Sequence, residues 1–208
     1  MKRPEAVRLA EGQVAASGEV LAQAFADDPF FSHALADPVE RGRLLPPFMV
    51  ACTRYGLLFG EVYVTAGPVE ASAILLPPGA GIRTEERNEQ AGLTAAINAF
   101  SDGARARFVA MAHHMDGIRE RTRSTPHWYL LLIGVDPSRQ GLGLGGQLMR
   151  PELARADQER VECHLHTEQG RNVPFYQRHG FEITVEGDFP EAGPHFWVMR
   201  RRPRALTA

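Results

Sequence analysis

One segment, residues 128–146, constrains the fold more than any other part of the sequence. It reads WYLLLIGVDPSRQGLGLGG, an apolar run followed by a turn that is rich in glycine. The run from Trp128 to Val135 is apolar on both faces, which is typical of a central strand covered by helices on both sides. Asp136-Pro137 ends the strand, and a helix is predicted from about Gly143 to Asp157. The segment therefore predicts an α/β fold in which a glycine turn joins a buried strand to a helix.

The glycine turn has the features of a phosphate-binding loop. Gly141, Gly143 and Gly145 alternate along the turn, which leaves the backbone uncovered where the helix begins. Free amides and the positive end of a helix dipole favour a bound phosphate at such a position. No Lys followed by Ser or Thr comes after the turn, so a Walker A loop is excluded, and its late place in the chain disfavours a Rossmann site. A turn that needs glycine for its geometry alone stays an alternative.

The rest of the chain predicts helices and strands in an order that fits a mixed sheet. Before residue 128 we expect a strand at Ala6–Ala10, helices at Gln13–Ala26, Phe30–Leu35 and Arg43–Phe59, a hairpin of strands at Val62–Thr65 and Ala71–Leu76, and a helical region at Glu85–Arg121 with a break at Asp102-Gly103. After the glycine turn and its helix we expect a strand at Val161–Thr167, a loop at Gly170–Asn172, a short helix at Val173–His179 with Gly180 as its left-handed C′ residue, and antiparallel strands at Phe181–Glu186 and His195–Met199. Without a repeat or a long linker, we expect residues 1–208 to form one domain.

Composition excludes several classes of function. The formal net charge of −2 provides no basic field for nucleic acid or for an anionic membrane surface. No apolar run approaches the ~20 residues that a membrane span needs, so we expect a cytoplasmic protein with neither kind of partner. The two cysteines are too few for a disulfide framework and are expected as free thiols. His164 and His166 share a strand face but lack an evident third ligand, so we expect no metal site.

The motifs after residue 128 resemble those of the GNAT superfamily of acyl-CoA-dependent N-acetyltransferases. Gln140, Gly143 and Gly145 match its Q/R-x-x-G-x-G/A pyrophosphate signature, after a strand that ends in Ile133-Gly134-Val135. Two further matches follow in the superfamily's order, Asn172-Val173-Pro174-Phe175-Tyr176 and His179-Gly180-Phe181. Within the superfamily the pattern is most similar to that of the puromycin N-acetyltransferases. The resemblance covers about half of the chain well, and before Trp128 it is a match of element order only.

The resemblance implies both a fold and a cosubstrate. The implied fold is α/β (α+β), with a mixed, mostly antiparallel central sheet of about six to seven strands, flanked by helices and splayed where acetyl-CoA binds. The backbone of Ile133 and Val135 would pair with the pantetheine arm, and Asn172 would hydrogen-bond near the pantetheine amide. The residues implied to wrap the CoA pyrophosphate are Gln140, Gly141, Leu142, Gly143, Leu144, Gly145 and Gly146. Arg139 is either a phosphate contact or a surface arginine.

Two residues are candidates for proton transfer. Amine acetylation needs a base for the attacking nitrogen and an acid for the leaving thiolate. The resemblance implies that Tyr176 is this acid, beside the CoA sulfur, and a core tyrosine is the alternative. His166 shares a strand face with Glu168 and stands where many relatives have a glutamate base. A histidine has an ordinary pKa of ~6.5 and can do the same work, although a buried polar residue is the alternative.

The sequence leaves the identity of the acceptor open. The resemblance implies an acceptor site framed by the first two helices and the last hairpin. An acidic, aromatic cluster at Asp27, Asp28, Phe30 and Phe31 suits a cationic amine with an apolar body, while a helix cap and core phenylalanines explain it equally well. We expect acetyl transfer from acetyl-CoA to a small-molecule amine, antibiotic-like or a polyamine, by direct transfer. A peptide or protein N-terminus as acceptor and a non-catalytic CoA-binding module are the alternatives, and a homodimer is one option for the oligomeric state.

Overall fold

The computed structural model describes residues 5–79, 84–122 and 126–204. In chain order the elements are β1 (Ala6–Arg8), α1 (Val14–Ala24), α2 (Pro29–Ala34), α3 (Pro38–Phe59), β2 (Glu61–Thr65), β3 (Ala71–Leu76), α4 (Glu85–Ala91), α5 (Leu93–Asn98), α6 (Asp102–Thr122), β4 (His127–Val135), α7 (Leu144–Glu159), β5 (Glu162–Thr167), α8 (Val173–Arg178), β6 (Glu182–Asp188) and β7 (His195–Arg201). Within these ranges, no helix is both long enough and apolar enough to cross a membrane.

The strands form one seven-stranded sheet in the order β1-β2-β3-β4-β5-β7-β6. Neighbouring strands run antiparallel except β4 and β5, which are parallel. The β4/β5 ladder is short, because it pairs only residues 127–129 with residues 162–164. Beyond Tyr129 and His164 the two strands separate, and the sheet is splayed at this point. The predicted mixed, mostly antiparallel and splayed sheet is confirmed.

Helices cover both faces of the sheet. Alternate residues of a strand point to opposite faces, so neighbouring residues enter different cores. Tyr129 and Val198 pack into the core under α1–α6, whereas Trp128 and Met199 pack into the core under α7 and α8. Burial of these apolar side chains is the main stabilising contribution to such a fold.

Three local features differ from the sequence-based expectation. Helix α3 begins at Pro38 rather than Arg43, because Asp37 caps it by accepting a hydrogen bond of 2.9 Å from the Val39 amide. The region 85–122 breaks at Gly92, which has a φ of +82°, and again before residue 102, so that Asp102-Gly103 begins α6 instead of interrupting a helix. The end of β4 at residues 131–133 is only half-buried, because it borders two cavities.

Candidate active site

Two cavities lie where β4 and β5 separate. The first, which we call the groove, has a volume of about 370 Å³ and runs along the end of β4, the glycine turn and the start of α8. The second, which we call the pocket, has a volume of about 120 Å³ and lies among α2, α3, α6, β4 and the end of β5. The residues that line both cavities are Phe25, Asp28, Ile133, Asn172 and Tyr176. The groove and the pocket therefore meet at these residues.

The glycine turn forms one wall of the groove and begins α7. Gly141 and Gly143 have φ values of +78° and +80°, in the left-handed region that favours glycine. Gly143 is the N-cap residue, and no side chain caps the helix. The first-turn amides of this 16-residue helix are thus left for a ligand, with the positive end of the helix dipole behind them. This arrangement fits a bound pyrophosphate.

Ile133 and Val135 lie on the opposite side of the groove. They pair with Ala73 and Ala71 of β3 on one edge, while the described ladder between β4 and β5 ends earlier, at Tyr129. The other backbone edge of residues 133–135 therefore faces the splay rather than a strand, which fits an extended arm carrying amide groups. Gly134 between them permits the close approach of α1, since a Cβ atom there would lie 2.8 Å from the Cβ atom of Ala24.

Most of the predicted cofactor residues are brought together in the groove. Those that line it are Ile133, Val135, Gln140, Gly141, Gly143, Leu144, Gly145, Asn172 and Tyr176. Leu142 is 54% exposed and Gly146 packs towards His179, and neither residue lines the groove. Arg171 and Arg178, which sequence reasoning missed, line the groove as well. Arg139 lies there too and forms an ion pair of 2.9 Å with Glu70.

Tyr176 lies on α8 at the junction of the two cavities. Its side chain is buried and packs against the rings of Phe175 and Phe181, with ring centroids 5.2 and 6.0 Å away. Burial raises the pKa of its phenol above the ordinary value of 10, and the charges of Glu168 and Asp28 raise this pKa further. The phenol consequently keeps its proton at neutral pH and can serve as a donor.

His166 lines the pocket at the end of β5. Its Nδ1 atom hydrogen-bonds the phenol of Tyr129, and its Nε2 atom lies 3.6 Å from Oε1 of Glu168. The guanidinium carbon of Arg119 lies 3.8 Å from the centroid of the Tyr129 ring. His164 points to the same side of the strand but hydrogen-bonds Glu162 at 3.0 Å and does not line the pocket. The two strand histidines therefore have different surroundings, and only His166 lines the pocket.

A pair of buried carboxyl groups, Asp28 and Glu168, also lies at the pocket. Asp28 is 5% exposed and caps α2 by accepting a hydrogen bond of 3.0 Å from the Phe30 amide. Burial raises the pKa of Asp28 to about 6, although backbone amides and the charge of Arg171 act in the opposite direction. Burial also raises the pKa of Glu168, and the charge of Asp28 adds to this shift. Sequence reasoning named Asp28 only within an acidic cluster and assigned no role to Glu168, whose one signal was its strand face.

The remaining predicted residues lie in the pocket, on the surface or in the buried interior. Phe30 and Phe31 line the pocket together with Asp28, whereas Asp27 is exposed. Cys52 and Cys163 are buried and form no disulfide, as expected. In the described part of the chain, no group of three or more His, Cys, Asp or Glu side chains is placed to hold a metal ion.

Comparisons with known proteins agree with this architecture. Residues 95–183 match the family model described as an acetyltransferase (GNAT) domain. A solved structure described as histone acetyltransferase HPA2 and related acetyltransferase from Corynebacterium glutamicum superposes with a TM-score of 0.64, at 20% identity over 99% of each chain. The chain has the GNAT fold. A polyamine N-acetyltransferase of Drosophila melanogaster has this fold too, with a TM-score of 0.59 and 15% identity over 95% of this chain and 98% of that chain. So does arylalkylamine N-acetyltransferase 2 of Aedes aegypti, with a TM-score of 0.61 and 12% identity over 96% of this chain and 99% of that chain.

A curated relative matches only a short segment. A probable serine/threonine-protein kinase from Dictyostelium discoideum is 27% identical over 85 residues, which is 40% of this chain and 12% of that protein. The chain therefore spans a small fraction of that relative's length, and the match is no evidence that this chain shares the kinase's activity.

Proposed function

We propose that this protein is an N-acetyltransferase that moves the acetyl group of acetyl-CoA directly to the amine of a small molecule. One observation carries the proposal: a groove with an uncapped glycine turn meets a pocket of titratable side chains at Tyr176. A ligand in the groove and a second ligand in the pocket would face each other at this phenol. The match to the GNAT domain model supports the same conclusion.

The groove residues have separate roles in donor binding under this proposal. Bound acetyl-CoA supplies a thioester whose acetyl group is open to attack by a neutral amine. The amides around Gly143 bind the pyrophosphate, and the backbone edge of Ile133 and Val135 binds the pantetheine arm with help from Asn172. Arg171 and Arg178 add positive charge to the same groove and attract the phosphates.

The pocket residues move the two protons that the reaction requires. The amine nitrogen forms a bond with the acetyl carbon as the carbon–sulfur bond breaks, so the nitrogen must lose a proton and the sulfur must gain one. We assign the first transfer to Nε2 of His166 and the second to the Tyr176 phenol. In the tautomer that this role requires, Nδ1–H of His166 donates to the oxygen of Tyr129 and Nε2 keeps its lone pair.

A small-molecule acceptor fits the pocket better than a peptide or protein N-terminus. Its volume of about 120 Å³ is of the order that holds one small ring, since an apolar cavity of ~150 Å³ binds benzene. The Drosophila enzyme with the same fold is described as forming N-acetylagmatine, which supports a small amine here. The closer likeness to the puromycin N-acetyltransferases, a single domain over 1–208 and a cytoplasmic location stay predictions.

Thiol release from acetyl-CoA tests the proposal directly. Purified protein is incubated with acetyl-CoA and a panel of primary amines, and free CoA thiol is measured with each amine and without any. Amine-dependent release that falls strongly in Tyr176→Phe is the expected result. Saturable CoA binding with no release for any amine would instead favour the non-catalytic CoA-binding module.

A further inference from the structure

One oxygen of Glu168 is buried without a hydrogen-bond partner. The side chain is 8% exposed, and among the described residues Oε1 accepts no hydrogen bond; Nε2 of His166 lies 3.6 Å from it. Burial of an unpaired polar atom is costly, and a carboxylate costs more than a neutral group. Glu168 lines the pocket, so a donor from a ligand is a natural partner for this oxygen.

Asp28 lies close enough to Glu168 for its charge to raise the pKa of the Glu168 carboxyl group. One face of its carboxyl group is used by the start of α2, where the Phe30 amide donates to it. The two acidic side chains come from distant parts of the chain and both line the pocket, with Asp28 at its junction with the groove, where the acceptor nitrogen must reach the donor. A cation at this point would relieve the repulsion between them.

A large part of the remaining pocket wall is apolar and aromatic. Phe30, Phe48 and Phe108 stack edge-on, with centroids 5.7 Å apart for Phe30–Phe108 and 5.3 Å for Phe48–Phe108. Aromatic pairs prefer edge-to-face or offset contacts, and a ligand ring against this wall would make contacts of the same kind. Met115 completes the wall on α6, and a thioether makes favourable contacts with aromatic rings.

The charged residues that α6 contributes to the pocket disfavour a second cation. Arg119 lines the pocket, lies over the Tyr129 ring and forms an ion pair of 3.4 Å with Asp116. Asp116 is thereby already matched with a positive partner. An acceptor with a second ammonium or a guanidinium group would have to bury that group among phenylalanine rings and beside Arg119, which is unfavourable.

We infer that the pocket selects primary amines that carry a single cationic head and an aromatic or bulky apolar body. Asp28 and Glu168 hold the ammonium group, and the phenylalanine wall holds the body. The ammonium passes one proton to a carboxylate of this pair before the nitrogen attacks, and Nε2 of His166 takes the second proton as the amide forms. This inference rests on the proposed acetyl transfer and names its substrate class. The raised pKa values of both carboxyl groups are consistent with a site that is completed by a ligand cation.

A matched panel of amines tests the inference by two independent measurements. 2-Phenylethylamine and tryptamine are compared with butylamine, agmatine and spermidine, and 2-phenylethanol serves as the uncharged analogue. Binding to the protein saturated with CoA is measured by calorimetry, and turnover is measured by thiol release from acetyl-CoA. We expect kcat/KM for 2-phenylethylamine to exceed that for agmatine and spermidine by at least about tenfold, as burial of one aromatic ring implies. We expect 2-phenylethanol not to bind.

Two variants separate the ammonium anchor from the aromatic wall. Glu168→Gln keeps the shape but removes the charge, and should raise KM and Kd for 2-phenylethylamine about tenfold while leaving CoA affinity unchanged. Glu182→Gln removes an exposed carboxylate outside the pocket and is the matched control. Ala112→Leu narrows the pocket from α6 and should weaken 2-phenylethylamine more than butylamine.

Each outcome distinguishes this inference from the proposed function. A preference for agmatine or spermidine, or an unchanged Kd for 2-phenylethylamine in Glu168→Gln, would overturn the inference and leave acetyl transfer intact. Binding of 2-phenylethylamine without turnover of any amine would support the pocket's selectivity and contradict acetyl transfer. If the aromatic amines neither bind nor turn over, the inference is overturned. If Ala112→Leu lowers CoA affinity as well, the Glu168→Gln comparison alone decides.

Discussion

Nδ1 of His166 hydrogen-bonds the phenol of Tyr129 across the gap where β4 and β5 no longer pair. The last paired residues of the two strands are Tyr129 and His164, so His166 lies beyond the ladder, and this side-chain bond spans the splay. The bond fixes the imidazole ring and leaves Nε2 on the side of Glu168. The gap between β4 and β5 that would admit acetyl-CoA therefore also positions His166, the proposed base.

The first prediction concerns the pH dependence of acetyl transfer. With His166 as base, the pH profile of kcat/KM has a limb that rises with pH. His166→Ala should lose this rising limb together with most of the activity. His166→Glu should recover part of the rate, with the limb at lower pH. Asp28, Glu168 and Arg119 also face this region, so the profile of Asp28→Asn must be measured beside it. If kcat/KM of His166→Ala still rises with pH as before, His166 is not the base. If the rise is lost only in Asp28→Asn, Asp28 is the base instead.

The second prediction concerns the acid. Tyr176→Phe removes only the phenol oxygen, and should lower kcat on the order of 10²-fold while leaving acetyl-CoA affinity unchanged. The buried ring still packs against Phe181, so stability should change little. Steady-state kinetics and calorimetric titration with CoA measure the two quantities. Equal kcat in both proteins would leave Tyr176 a packing residue only.

The third prediction concerns the glycine turn. A ligand at 100 times its dissociation constant stabilises a protein by about 2.7 kcal/mol, so CoA should raise the melting temperature. Gly143→Val should abolish this rise, because a β-branched side chain is strained at a φ of +80° and stands at the start of α7 where phosphate would approach. Leu142→Ala is the control, since it keeps the backbone amide and removes a side chain that is outside the groove. A full CoA shift in Gly143→Val would show that the pyrophosphate binds elsewhere.

The features that could be predicted from the sequence are those encoded locally. The glycine turn, the left-handed Gly180 and the position of Tyr176 on a short helix each depend on residues within a few positions of one another. The carboxyl pair could not be predicted in this way, because Asp28 and Glu168 lie on elements far apart in the chain. Likewise the half-buried end of β4 reads as an ordinary core strand, since apolar residues line a cavity and fill a core equally well.

The fourth prediction concerns stability. The pKa of Asp28 rises from 3.8 to about 6 on folding. The native state therefore binds a proton more tightly than the unfolded state, and stability falls as pH rises from about 4 to about 6. Asp28→Asn removes the charge, and asparagine can still cap α2. Above pH 6 the variant should be more stable by on the order of 1–3 kcal/mol, with the difference vanishing near pH 4. If the protein and Asp28→Asn have equal denaturation midpoints both near pH 4 and above pH 6, the raised pKa of Asp28 is contradicted.

Transfer of an isotope-labelled acetyl group is the most direct test of the central claim. The protein is incubated with acetyl-CoA labelled in the acetyl carbons and with 2-phenylethylamine, and the amine and the protein are both analysed by mass spectrometry. We expect labelled N-acetylated amine in equal amount to the CoA released, no label on the protein, and a strong reduction of both products in Tyr176→Phe. The same incubation is repeated with butylamine, agmatine and spermidine, and CoA binding with no labelled product for any of the four amines would contradict acetyl transfer.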